Sequence, residues 1–229
     1  WLTMSQGMVL ITGPTGSGKT STLYTSLAKL LDVSKNVVTV EDPVEFQLAR
    51  VNQVQVNAKA GLTFSAGLRS ILRQDPDIVM IGEIRDLETA EIAIKAALTG
   101  HLVLSTLHTN DAPSTINRLI DMGVPSYLVA SALVGVVAQR LLRRVCSYCK
   151  EEYISGPEEK KAIEIDEGTP LVRATGCQNC NDTGYSGREG IFEIMPVTDD
   201  MKVVIQRGAG VDELGAAMRE MNMPTLFTA

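Results

Sequence analysis

Residues 13–20 read Gly13, Pro14, Thr15, Gly16, Ser17, Gly18, Lys19, Thr20, and they follow directly on the short apolar run 8–12. The pattern Gly-x-x-x-x-Gly-Lys-Thr restricts a chain severely. Its glycines let backbone N–H groups turn inward as an anion nest, which requires a strand to deliver the chain and a helix to receive it. Helical apolar spacing over residues 21–31 meets the second requirement. The spacing therefore predicts strand, loop and helix, with phosphates cradled on residues 13–20, Lys19 reaching the terminal phosphates and Thr20 ligating magnesium. A glycine-rich turn that merely contains a lysine is the bland alternative, and the flanking strand and helix patterns weigh against it.

Further compact apolar runs at 37–41, 78–81 and 102–106 suit strands buried on both faces. Helical spacing at 63–72 and 87–98 lies between them, with Asp86 as the expected N-cap of the second. This alternation predicts an α/β fold with a parallel sheet. Beyond residue 111 the sheet signal fades, and helices are expected over 113–122 and 125–142, the latter ending in the basic group Arg140, Arg143 and Arg144. The nearly uncharged run 127–138 is read as a buried helix, since a bilayer span needs about 20 residues. A charged insert at 158–161 is expected as helix or loop, followed by a strand at 190–194 and helices at 199–206 and 211–221. The expected divisions are a phosphate-loop core with its following helices over 1–145, a four-cysteine module over 146–185, and a strand and helices completing the core over 186–229. The chain opens on Trp1 and enters a strand at once, which suggests a piece of a longer protein.

The loop alone does not fix the chemistry. A GTPase would show Asn/Thr-Lys-x-Asp and an ABC-type transporter Leu-Ser-Gly-Gly; neither tetrapeptide occurs, so adenine is favoured by elimination. Acids follow two of the expected strands: Glu41, Asp42 and Glu45 after the first, Glu83 and Asp86 after the next. Ligands of open α/β sheets sit at such strand ends, so Glu41 and Glu83 are candidates to orient magnesium or polarise an attacking water. Asp42, Glu45 and Asp86 fit caps or loop solvation. Gly82 stands where an aspartate usually ends the second of these strands, which leaves the magnesium contact to water or to Glu41. Of the two histidines, His108 lies just past a strand end and suits a γ-phosphate sensor, whereas His101 lies at the opposite end and suits a structural role. Arg69 and Arg73 are one helical turn apart; they are either surface ion-pair formers or arginines that reach a neighbouring subunit's nucleotide.

Cys146 and Cys149 form one C-x₂-C knuckle, Cys177 and Cys180 another, with 27 residues between the pairs. Four thiolates so arranged suit a closed, structural tetrahedral zinc site. Two disulfides are the alternative, disfavoured in the reducing compartment that a nucleotide-hydrolysing fold implies. A net charge of −6 argues against a surface built to track nucleic-acid phosphates.

Taken together, these residues resemble the C-terminal ATPase domain of the type II secretion and type IV pilus assembly ATPase family. The resemblance rests on the octet 13–20, the stretch 39–45 around Glu41, residues 61–77 with Arg69 and Arg73, the stretch 81–86 around Glu83, residues 100–111 with both histidines, and the tetracysteine. It covers essentially the whole chain. It implies a RecA-like P-loop core within a homo-hexameric ring that spends ATP, with Mg2+, on pseudopilin or pilin assembly. Such a ring would be cytoplasmic and held at the inner membrane by platform proteins, with structural Zn2+ and no nucleic-acid partner. It further implies that Glu83 activates water, Glu41 helps arrange magnesium, His108 contacts the nucleotide, and Arg69 and Arg73 serve the neighbouring subunit's nucleotide. Retraction ATPases of similar core lack the tetracysteine, so the four cysteines favour assembly or secretion. The family's preceding N-terminal domain and its usual C-terminal tail are not in this sequence. The alternative from another class is a RecA-like nucleic-acid-dependent ATPase, motivated by Arg140, Arg143 and Arg144 beside the knuckles. A small-molecule kinase would need an acceptor-site signature, and none is present.

Overall fold

Strand β1 (Gly7–Thr12) is buried at every position, a pattern that only a strand covered on both faces produces. A computed structural model describes residues 1–163 and 165–228 and shows how that cover is built. After β1 come α1 (Lys19–Leu30), β2 (Val37–Glu41), β3 (Asn52–Gln55), α2 (Phe64–Ile71), β4 (Ile78–Ile81), α3 (Leu87–Leu98) and β5 (Leu102–Leu107). The chain continues through α4 (Ala112–Asp121), α5 (Ser126–Ala132), β6 (Leu133–Val145), β7 (Lys150–Ile154), α6 (Pro157–Ile163) and β8 (Pro170–Ala174). It ends with β9 (Tyr185–Pro196), α7 (Asp199–Gln206) and α8 (Val211–Glu220).

The main sheet runs β3-β2-β4-β5-β1-β6-β9, and the pairs from β3 across to β6 are parallel. Strand alternation divides the apolar residues between the two faces. Met8 and Leu10 join one cluster with Val40, Leu68, Ile116 and Met201. Val9 and Ile11 join the other with Leu23 and Leu27 of α1. Parallel pairing brings the carboxyl ends of β1 and β5 level, with Thr12 opposite Leu107 and, midway along β6, Ala138. The loops that carry chemistry therefore leave the sheet at one edge.

The chain divides into two compact units, residues 1–140 with 192–229 and residues 141–191. These limits fall inside β6 and β9, a few residues from the expected divisions at 145/146 and 185/186. In the second unit β7 pairs antiparallel with β8, Lys150 opposite Ala174, and the charged insert forms α6.

Three expectations are corrected. The helix expected over 125–142 stops at Ala132, and residues 133–145 are strand β6. Val134, Val136 and Val137 are β-branched and Gly135 is a poor helix former, so the open edge of β1 captures them. The sheet accordingly continues past residue 111. Arg69 and Arg73 do not share one α-helix: α2 ends at Ile71, Arg73 falls in the 3-10 turn Leu72–Gln74, and Asp75 takes a left-handed φ of 51° before Pro76. A residue before proline is biased away from helix, which accounts for the early stop. Strands β3, β7 and β8 carried no apolar run to announce them; β3 is a polar edge strand, exposed or half-buried along its length.

Candidate functional site

The phosphate-type loop is held in a conformation that glycine makes possible. Gly13, Gly16 and Gly18 have φ of 148°, 79° and 87°, values that side-chain-bearing residues rarely adopt. Gly13 is also tightly confined, since a Cβ there would lie 2.4 Å from the Gln139 carbonyl oxygen and 2.6 Å from Ser17 Oγ. Helix α1 begins at Lys19 with Gly18 as N-cap, no capping side chain and no acid in its first turn, so its N–H groups and positive dipole end remain for an anion. Lys19 Nζ donates to the carbonyls of Gly13 at 2.8 Å and Pro14 at 3.1 Å. Burial holds its pKa below the ordinary lysine value; the Glu83 charge opposes that shift and the Arg140 charge reinforces it. The buried Ser17 hydroxyl has no hydrogen-bond partner among the described residues, a need that a phosphate oxygen would meet. Thr20 is exposed in the first turn of α1. The donor set fits a nucleotide's phosphates, and Thr20 could hold a magnesium ion beside them.

Opposite Lys19, the turn after β4 presents Glu83. Its carboxylate lies 3.4 Å from His108 Nε2 and pairs with Arg85. Its hydrogen bond to Glu83 raises the Arg85 pKa, burial opposes this, and the Glu83 and Asp42 charges add to the rise. Hydroxyls from β5 pin the turn: Ser105 donates to the Ile81 carbonyl at 2.8 Å and Thr106 to the Gly82 carbonyl at 2.7 Å. His108 sits on a loop secured to the end of β1, where Thr12 Oγ1 meets the Leu107 carbonyl at 3.0 Å and Thr109 Oγ1 at 2.6 Å. Glu83, Arg85, His108 and Arg118 line one cavity.

The other expected residues are placed differently. Glu41 is 3% exposed and is engaged by neutral donors: Tyr24 on one carboxylate oxygen, Thr39 at 2.5 Å and Gln53 at 3.1 Å on the other. Burial, followed by the bond to Glu41, pushes the Tyr24 hydroxyl up to about 12. Any metal contact by Glu41 would give up one of these bonds or run through water. Arg69 pairs with Glu88 at 2.7 Å on an exposed surface, and Arg73 is exposed. Among the described residues neither forms an ion pair or hydrogen bond with residues 13–20. His101 Nδ1 meets the Ala96 carbonyl at 3.0 Å, at the far end of β5. The sequence placed Ser17 in the phosphate cradle but assigned no site role to Arg85 or Arg140. Arg85 had a signal, two positions after Glu83; the unpartnered Ser17 hydroxyl is visible only in three dimensions.

In the second unit the sulfurs of Cys146, Cys149, Cys177 and Cys180 all lie within 4.8 Å of one another as free thiols. Cys180 Sγ is 3.8 Å from Cys149 Sγ and 3.7 Å from Cys177 Sγ. A Zn–S bond of about 2.3 Å in tetrahedral geometry sets sulfurs about 3.8 Å apart. Burial pushes the Cys177 thiol up to about 11. Burial acts the same way on Cys180, but backbone N–H groups of Cys177 and Gly184, each 3.2 Å from its sulfur, outweigh it and bring that thiol down to about 7. Such N–H donors stabilise a thiolate, the form that binds metal, so the four sulfurs could hold a tetrahedral ion.

Comparison with known proteins agrees in one direction. Over 220 residues the chain is 53% identical to the type II secretion system protein HxcR of Pseudomonas aeruginosa, covering 96% of this chain and 44% of that protein. Over 228 residues it is 52% identical to the type IV pilus assembly ATPase PilB of Myxococcus xanthus, covering 96% of this chain and 40% of that one. The chain thus spans well under half the length of these curated relatives. Among solved structures it is similar to the pilus retraction motor PilT with bound ADP, at a TM-score of 0.74 and 29% identity over 99% of this chain and 57% of that one. That likeness bears out the expected RecA-like α/β core. The family model described as "Type II/IV secretion system protein" matches residues 1–229, and with the strand-end geometry above and relatives of this identity, the chain belongs to that family.

Proposed function

We propose that this chain is the nucleotide-hydrolysing part of a motor ATPase that drives pseudopilin or pilin assembly in a type II secretion or type IV pilus machine. The observation that carries the reading is the position of Glu83 at the end of β4. Its charge acts on Lys19, and His108 stands 3.4 Å from its carboxylate.

Residues 13–20 bind the triphosphate: backbone N–H groups enclose the phosphate oxygens, and Lys19 exchanges its carbonyl partners for terminal phosphate oxygens. Glu83 orients the attacking water and accepts its proton. His108 senses the γ-phosphate beside it. Thr20, with Glu41 through water, would hold magnesium, which when bound neutralises charge on the phosphate oxygens. The exposed Arg69 and Arg73 point the reading to a ring, in which they approach the neighbouring subunit's nucleotide. The similar PilT is named as a retraction motor, which supports a motor. The four cysteines hold zinc as a structural staple: neither apolar cluster includes a residue of 141–191, so this unit needs another source of order. Among the described residues no helix is long and apolar enough to cross a membrane. The proposed location is the cytoplasmic face of the inner membrane, through platform proteins, and the net charge of −6 favours protein over nucleic-acid partners.

Turnover of Glu83→Gln, measured together with ATP affinity, tests the assignment. The expected result is a loss of at least a hundredfold in turnover with affinity within a fewfold of the parent chain. Parental turnover in the variant refutes the role.

A further inference from the structure

One cation beside the phosphate loop has no acid to hold it. Arg140 follows Gln139 midway along β6, and the Gln139 carbonyl is the one that presses on Gly13, 2.4 Å from where a Cβ would sit. The Arg140 guanidinium donates to that same carbonyl at 3.1 Å and to the Asn110 carbonyl at 2.5 Å. Lys19 donates to the Gly13 carbonyl at 2.8 Å, so one cation is bonded to Gly13 and the other to the carbonyl packed against it. The arginines with ion pairs among the described residues are Arg69, Arg85, Arg173 and Arg207, not Arg140. Burial lowers the Lys19 pKa most, the Glu83 charge raises it, and the like charge of Arg140 lowers it further. At Lys19 the Glu83 charge offsets that repulsion; at Arg140 the partners are the neutral oxygens of Gln139 and Asn110. The buried Lys19 and the half-buried Arg140 hydrogen-bond only to neutral oxygens, which leaves both with charge for an arriving anion.

We infer that Arg140 is a further nucleotide ligand, contributed by the same subunit that supplies the loop, which leaves the Asn110 carbonyl to bind a phosphate of the nucleotide held on residues 13–20. The inference rests on the nucleotide assignment above and adds to it a residue beyond that octet. It also connects binding to the His108 loop, because the carbonyl that Arg140 releases lies two residues after His108.

The alternative is that Arg140 only tethers residues 108–110. The two roles differ in what they change. As a phosphate ligand, Arg140→Gln weakens ATP by tenfold to a hundredfold, the effect of losing a charge-assisted hydrogen bond, while the thermal midpoint without nucleotide stays within a few degrees of the parent. As a tether, the variant lowers kcat and the midpoint with ATP affinity unchanged, and that result overturns the inference. A second measurement needs no variant. ATP is expected to shield Arg140 from phenylglyoxal modification, read by peptide mass, whereas adenosine at saturating concentration does not. Equal modification with and without ATP overturns the inference. ATP binding by the parent chain separates its failure from failure of the nucleotide assignment, since a parent that binds no ATP overturns both.

Discussion

Gly13 shows how far one backbone position governs the site. Its φ of 148° and the 2.4 Å and 2.6 Å approaches to Gln139 and Ser17 leave no room for a methyl group. Gly13→Ala should destabilise the chain by about 2–4 kcal/mol and abolish nucleotide binding; a denaturant melt and a nucleotide titration check both. Tyr24 and Glu41 give a prediction in pH. The folded-state hydroxyl titrates at about 12 against about 10 in an unfolded chain. The stabilisation is therefore complete below pH 10 and is lost as pH rises towards 12, by up to about 3 kcal/mol. Tyr24→Phe should flatten that part of the stability curve, and an unchanged alkaline slope would contradict the buried Tyr24–Glu41 bond. These residues also mark what sequence could not show. Glu41 stands at a strand end like Glu83, and only the fold reveals that neutral donors occupy both of its oxygens.

At the scale of elements, the strands legible in the sequence were those whose apolar run is continuous because both faces are covered: β1, β2, β4 and β5. β6 was misread because its opening residues continue the apolar character of α5, and periodicity cannot separate a buried strand from a buried helix over so short a run. The valines and Gly135 were the available signal. Gly135 also has a packing reason, for a Cβ there would come within 2.3 Å of the Trp1 ring. Gly135→Ala should displace that ring at a cost of about 1–3 kcal/mol. Because Trp1 is the only tryptophan, its emission should shift to longer wavelength, and an unshifted spectrum would mean that the ring does not pack on β6.

For the whole molecule, two sources of order are at work. Residues 1–140 with 192–229 contain both apolar clusters, whereas 141–191 has its four sulfurs instead. Protein never exposed to chelator should carry about one zinc per chain, and chelation should speed amide exchange across 141–191 while β1, β4 and β5 stay protected. Exchange that ignores the chelator would remove the metal from the account. The cysteine spacing made this module legible in the sequence. Pairing of β7 with β8 was not, since short polar strands leave little trace in hydropathy.

The central claim, that residues 13–20 grip a triphosphate, is tested most directly by calorimetric titration with ATP and magnesium. The account predicts one site per chain, weakened at least a hundredfold by Lys19→Ala in a variant that keeps its parent's fold. Equal binding by parent and variant, or none by the parent, would contradict it.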